Sequence, residues 1–327
     1  MGLESPSLLG IGLVGVGRHG SRYVQHLLHD VTGARLVAVC RKSGREVAPG
    51  HDIRVYSDYC AMIRDQRVDA VVVVTPPSLC HDICLTSVRA GKPILIEKPL
   101  AMTKADARAM VAAADQAGVL LMTAQTLRYD PTILLLKDRL PTIGSLRSGS
   151  LISHIETKAN LLPSARGPVP IGAVLELGTH LFDLVRYLTG REILDVRCTM
   201  NPLSSMEPET LAAVQMHTVG GIDCALDIAR VESDRMGTAE WQGEEGKLVA
   251  DWIRRTVVRT TTRGVFDEWT VEPQPTVLAT LRSFVGAIQT RTPPPISGLD
   301  GCRAVEVADA CYQSAAKNGA VIQLDTG

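Results

Sequence analysis

At 327 residues, with 45% hydrophobic and 21% charged residues, the chain is long enough for two domains with full cores and has the composition of an ordinary globular protein. A formal net charge of −1 gives no electrostatic reason for a nucleic-acid partner. The apolar runs at 71–74 and 119–122 are far shorter than the roughly 20 residues a bilayer crossing needs. The first residues carry neither a basic region nor an apolar run of signal length, and the eight cysteines form no C-x-x-C pair. Together these features predict reduced thiols, no membrane partner and a cytoplasmic location.

Residues 8–14 read as a buried strand, and Gly15-Val16-Gly17-Arg18-His19-Gly20 follows with the spacing G-x-G-x-x-G. The same spacing fits residues 10–15, but that register lies inside the apolar run. The later one opens a helix over 21–30, striped by Tyr23, Leu27 and Leu28. Here Gly15 is expected to make the tight turn and Gly17 to admit a pyrophosphate. Gly20 would then permit close helix–strand packing, with Arg18 and His19 completing the cofactor loop. The next strand, 35–40, ends in Arg41-Lys42-Ser43, with no carboxylate until Glu46. An acidic residue there would hold a ribose 2′-hydroxyl; two cations and a hydroxyl instead suit a 2′-phosphate. NADP(H) is therefore expected over NAD(H), against the alternative of a solvated basic turn.

Strand 69–75 is capped by Thr75-Pro76-Pro77 and leads into a helix over 78–90. Within that helix Cys80-His81-Asp82-Ile83-Cys84 has the look of a metal cluster, but no second ligand group accompanies it, so packed thiols are expected. Strand 94–97 delivers Glu97 and Lys98 at its tip, where Pro99 stops it. A helix over 103–118 and a strand over 119–123 follow. This alternation predicts an α/β fold, a doubly wound parallel sheet of the Rossmann type, with ligands at the carboxyl ends of the strands. That placement gathers the glycine loop, Arg41, Thr75-Pro76-Pro77, Glu97-Lys98 and residues 123–128, Gln125 included.

After Asp130-Pro131 the rhythm changes. A helix over 132–140 precedes a long strand, 145–158, with His154, Glu156 and Lys158 on one face and Ile155 on the other. Residues 160–171 read as a loop. Over 172–190, Val174, Leu177, Leu181, Leu184 and Leu188 form an apolar helical stripe, while Glu176, His180, Asp183 and Tyr187 form a polar one. Glu176 and His180, four apart, are neighbours on that face, so an acid could orient an imidazole for proton transfer. The alternative is a solvated face. Strands over 193–200, 211–218, 222–231, 238–242, 247–251 and 254–262 then argue for an antiparallel sheet, with Gly220-Gly221 as a hairpin turn. Helices 277–290 and 298–318 close the chain. Boundaries of 1–124 for a dinucleotide-binding domain and 125–327 for a substrate-binding and oligomerisation domain follow.

Taken together, residues 15–20, Thr75-Pro76, Glu97-Lys98-Pro99, Arg128-Tyr129-Asp130-Pro131, Gly178-Thr179-His180 with Asp183, and residues 293–301 resemble the Gfo/Idh/MocA (glucose–fructose oxidoreductase, inositol dehydrogenase) family over essentially the whole chain. The resemblance implies a Rossmann domain followed by an α/β domain whose large, mostly antiparallel open-faced sheet mediates assembly, as a homodimer or homotetramer. It implies NAD(P)-dependent hydride transfer at a hydroxyl or carbonyl carbon of a small sugar-, cyclitol- or acid-like molecule. Lys98 would bind the substrate oxygen beside the nicotinamide, and His180 would be the general acid/base. Glu176 stands where dehydrogenating members usually carry Asp, and Gly172-Ala173 replaces the usual Gly-Gly. Arg128, His154, Lys158 and Asp183 would line the pocket, the three cationic ones favouring a polar or anionic substrate. A cofactor-binding regulator without catalysis, and recycling of a tightly held cofactor, are the competing readings.

Overall fold

The computed structural model describes residues 8–42, 47–156, 171–201, 208–261, 264 and 266–326. The chain divides into two compact units, Met1–Thr126 with Pro275–Cys302, and Leu127–Gln274 with Arg303–Gly327.

The first unit is built on β1 (Leu9–Val14), β2 (Ala34–Cys40), β3 (Arg54–Tyr56), β4 (Ala70–Val73), β5 (Ile94–Glu97) and β6 (Leu121–Ala124). All pair in parallel, in the order β3-β2-β1-β4-β5-β6. β1, β4 and β5 read as near-continuous apolar runs because both faces of a parallel sheet are covered. The helices are α1 (Gly20–His29), α2 (Tyr59–Arg64), α3 (Cys80–Arg89), α4 (Lys104–Ala117) and, late in the chain, α7 (Thr276–Thr290). Local chemistry sets their ends. Asp58 caps α2 by accepting from the amides of Cys60 and Ala61, Thr103 caps α4 through the amide of Asp106, and Gly118 ends α4 at φ +62°. The strand order reverses beside β1, so the crevice at its carboxyl end is the ligand position of such sheets.

Two features of this unit depart from the sequence reading. β3 and α2 were not foreseen, because three-residue strands and six-residue helices are too short to show a period. And α7 belongs to this unit, not to a continuous second domain from 125 onward. Gln289 donates to the carbonyl of Gly33 at 3.1 Å and Arg282 to that of Asp30 at 3.1 Å, fastening α7 beside the end of α1.

The second unit carries a nine-stranded mixed sheet. Its strands are β7 (Leu146–Glu156), β8 (Ile193–Met200), β9 (Leu211–Thr218), β10 (Asp223–Val231), β11 (Met236–Gly243), β12 (Gly246–Asp251), β13 (Thr256–Thr261), β14 (Phe266–Thr270) and β15 (Ile322–Gln323). The order is β14-β13-β12-β11-β7-β10-β9-β8-β15, and only β7 and β10 pair in parallel. Strict alternation of buried and exposed residues along β9 shows one face packed and one open. The packed face holds Gly149, Leu151, Leu226, Ile228 and Trp241, with the Trp241 ring lying over Gly149 where a Cβ would stand 2.6 Å from it. Helix α5 (Pro131–Arg139), helix α6 (Thr179–Thr189) and the last helix, α8 (Gly298–Ala316), complete the elements. The helix expected over 172–190 is present and continuous, but its first part, Val174–Gly178, is a π-helical turn that runs into α6. π-turns occur mostly as single turns inside helices and often mark functional positions.

Candidate active site

In the first unit, β1 ends at Val14 and Gly15 turns the chain at φ +94°, a region open to glycine and costly for other residues. A Cβ on Gly15 would stand 2.2 Å from the carbonyl oxygen of Val74, and one on Gly20 would stand 2.0 Å from that of Gly15. A Cβ on Gly17 would meet nothing within 4 Å, so the backbone there faces open space. The loop is therefore closed on the protein side and open on the other. No side chain caps the start of α1, whose Ser21 and Arg22 amides donate to the carbonyls of Gly17 and His19; the helix N-terminus carries the partial positive charge that favours an anion. Thr75, Pro76 and Pro77 follow β4 and are half-buried beside this loop, the Thr75 methyl lying 3.1 Å from the Cβ position of Gly15. Gln125 is buried just after β6. These residues fit a dinucleotide at the carboxyl end of the sheet.

Glu97 binds this region together. One carboxylate oxygen accepts the Tyr23 hydroxyl at 2.6 Å and pairs with His19 Nε2 at 2.6 Å; the other accepts the Lys98 amide at 3.1 Å. Glu97 is 8% exposed, so its role is to brace the glycine loop and α1 against the tip of β5. Burial, followed by the charge of Glu97, pushes the Tyr23 phenol well above its ordinary value. Lys98 is half-buried and begins a cis peptide to Pro99. Arg41 and Lys42 follow β2, and the Arg41 amide donates to the carbonyl of Tyr56. Ser43 lies outside the described residues. In α3, Cys80 and Cys84 are buried and burial raises both thiols to about 12, which disfavours the thiolate a metal would need.

In the second unit, the π-turn presents Glu176 and α6 presents His180, both half-buried. The turn is anchored by Glu209, which is buried, accepts the Val174 amide at 2.9 Å and is bonded by the Tyr312 hydroxyl at 2.8 Å. Its backbone carbonyl takes the Ala173 amide at 2.9 Å. Gly172 is required beside it: a Cβ there would fall 1.8 Å from the Glu209 carboxylate. Glu176 is gripped by Arg230, whose Nε donates at 3.1 Å and whose Nη2 also donates to the same oxygen. Neither Arg230 nor Glu209 was singled out from sequence. Arg230 ends a strand whose polar residues otherwise face the open side, and nothing in its spacing pairs it with residue 176.

Three residues expected to line the substrate pocket, Arg128, Asp183 and His154, have defined partners in the structure. Arg128 and Asp183 are committed to each other: Nε and Nη2 reach the two carboxylate oxygens at 2.8 and 2.6 Å, and both side chains are buried. The Tyr187 ring lies under Arg128, 5.0 Å from its guanidinium carbon. Neither residue offers an uncompensated charge. His154 alternates as expected along β7, but its face is the open one. The packed face, to which Ile228 and Arg230 point, carries Leu151 and Ser153 instead. His154 lies 3.2 Å from the exposed Asp227 on that open side. The polar face of β7 was legible; the side on which α6 lies was not. Lys158 is outside the described residues.

The family model described as "Oxidoreductase family, NAD-binding Rossmann fold" matches residues 9–125, and the "GFO/IDH/MocA C-terminal domain" matches residues 160–249. Among the most similar curated relatives, Inositol 2-dehydrogenase 1 of Saccharopolyspora erythraea is 30% identical, with 96% of each chain covered. D-apiose dehydrogenase of Paraburkholderia graminis is 26% identical over 95% of this chain and 88% of its own. An oxidoreductase from Agrobacterium radiobacter, solved in complex with NAD+, L-tartaric acid and magnesium, superposes with a TM-score of 0.86 at 20% identity, covering 97% of this chain and 98% of that one.

Proposed function

Because the chain belongs to the Gfo/Idh/MocA family of NAD-binding oxidoreductases, we propose that it is a dehydrogenase acting at a hydroxyl or carbonyl carbon of a sugar or cyclitol, with Lys98 and His180 as its catalytic residues. The observation that carries this reading is the glycine loop, closed against Val74 and Gly15 and open above Gly17, with Glu97 bracing it to the strand tip from which Lys98 leaves. A nicotinamide dinucleotide would supply hydride-transfer chemistry when bound. The glycine loop and the N-terminus of α1 would hold its pyrophosphate. Lys98 donates to the reacting substrate oxygen and stabilises negative charge on it. His180 takes the hydroxyl proton during oxidation and returns it during reduction. Glu176, held by Arg230, is an orienting acceptor for substrate.

Arg41 and Lys42 at the end of β2, with no carboxylate on either, favour acceptance of NADP(H). Equal or tighter affinity for NADH than for NADPH overturns that preference without touching the reaction class. The open face of the second sheet, where Ser150, Gln215, His217 and Glu240 line a depression of about 450 Å³, suits a second copy of the chain in a homodimer or homotetramer. Light scattering of the purified protein reads this directly. No helix among the described residues is long and apolar enough to cross a membrane.

The test is a screen of neutral sugars and cyclitols with NAD+ and NADP+. Reduction of the cofactor should fall by a factor of about 100 or more in Lys98→Ala and His180→Ala, with cofactor affinity retained in His180→Ala. Turnover that survives both substitutions refutes these roles. Cofactor binding without any turnover favours a regulator of the same fold.

A further inference from the structure

Arg230 stands at the end of β10 on the face packed against the π-turn, with its side chain 6% exposed. Its Nε and Nη2 both donate to one oxygen of Glu176, and Nη2 also donates to the carbonyl of Ile171 at 2.8 Å. Nη1 has no hydrogen-bond partner among the described residues. The Arg230 amide is itself fixed, donating to the carbonyl of Thr210 at 2.7 Å, next to the Glu209 anchor of the same turn. A guanidinium withdrawn from water this far needs a compensating charge, and the charge it has found is the carboxylate beside His180.

The consequence concerns the sign of the site. Among the described residues, two ion pairs flank α6: Glu176 with Arg230, and Asp183 with Arg128. His154, which would have added a cation, is on the other side of the sheet. Two charges in contact act at a distance as a dipole, so these two pairs offer donors and acceptors with little net field of their own. Hydroxyl groups are read well by such a set. A carboxylate gains no uncompensated cation from these two pairs.

Building on the dehydrogenase reading above, in which Glu176 and His180 face the substrate, we propose that Arg230 is a specificity-determining residue. By cancelling the Glu176 charge it sets the chain for uncharged polyols and cyclitols and against sugar acids. The pair is a switch of sign: without the Glu176 charge, the same pocket wall carries a buried cation with its donors released.

The test compares kcat/KM for matched substrates differing only in a carboxylate, D-glucose with D-glucuronate and D-galactose with D-galacturonate, together with myo-inositol. The variants are Glu176→Gln, Arg230→Met, Arg230→Lys and the double Glu176→Gln/Arg230→Met. Wild type should favour the neutral member of each pair. Glu176→Gln leaves Arg230 uncompensated and should raise the acid-to-neutral ratio about tenfold or more. Arg230→Met should lower that ratio and raise KM for the neutral sugars. The double variant should return the ratio to near the wild-type value, and Arg230→Lys should keep the wild-type preference. Glu176→Gln nearly preserves shape, so it carries the test even if Arg230→Met does not fold. If every variant loses activity equally on both members of a pair, Arg230 is only a structural brace and the inference falls alone. A wild type inactive on the whole panel overturns the dehydrogenase reading and this inference with it.

Discussion

The hydroxyl of Tyr23 and the imidazole of His19 converge on a single oxygen of Glu97, each at 2.6 Å. Removing one donor leaves a buried carboxylate short of a partner, so Tyr23→Phe should lower unfolding free energy at pH 7 by about 1–3 kcal/mol. The pH dependence has a definite sign. The Tyr23 phenol is raised in the folded state by burial and by Glu97. Its contribution is therefore complete below its unfolded value near 10 and is lost as pH rises beyond that. Urea midpoints between pH 7 and 11 should fall above pH 10 in wild type and less steeply in Tyr23→Phe. Buried thiols such as Cys80 and Cys224, at about 12, keep part of the slope.

The glycines of the loop separate folding from binding. A Cβ on Gly17 meets no protein atom, whereas one on Gly20 would strike the Gly15 carbonyl at 2.0 Å. Gly17→Ala should melt within a few degrees of wild type yet lose roughly tenfold or more in dinucleotide affinity, about 1.4 kcal/mol. Gly20→Ala should lose both stability and affinity. Calorimetric titration with thermal melting distinguishes the two, and unchanged affinity in Gly17→Ala would count against the pyrophosphate position.

Arg128 and Asp183 form a buried two-point ion pair. Asp183→Ala strands a buried guanidinium and should cost about 3–5 kcal/mol, while Arg128→Met/Asp183→Leu together should recover most of that loss. Urea unfolding of wild type and the two variants reads the loss and its recovery. A mild effect of Asp183→Ala alone would mean the pair is solvated.

The carboxylate of Glu209 fills the space beside Gly172 that a methyl group would occupy. Gly172→Ala should therefore destabilise the π-turn and depress kcat, and Glu209→Ala in the same chain should partly restore stability by making room. Glu209→Ala alone removes the acceptor of the Val174 amide and the Tyr312 hydroxyl, for a loss of about 1–3 kcal/mol. Differential scanning calorimetry of the single and double variants reads the relief.

Much of this protein is written locally. The alternation of short apolar strands with helices, the glycine spacing at 15–20 and the stop at Pro99 each follow from neighbouring residues, and β5, β8 and β9 run over the predicted residues. Period and turn chemistry act over a few residues, so the sequence alone carries them. The same is true of Glu97 and Lys98 as polar groups at the tip of an apolar strand, and of His180 on the polar stripe of a helix.

What tertiary structure decided is which charge meets which. Arg128 and Asp183 are 55 residues apart and Glu176 and Arg230 are 54 apart; both pairs turn expected pocket charges into neutral contacts. The same packing turned His154 to the open side of its sheet and made α7 part of the first unit. Such outcomes depend on strand order and on which face a helix covers, and neither leaves a period in the sequence. An electrostatic site is a sum over partners, and only the folded chain names the partners.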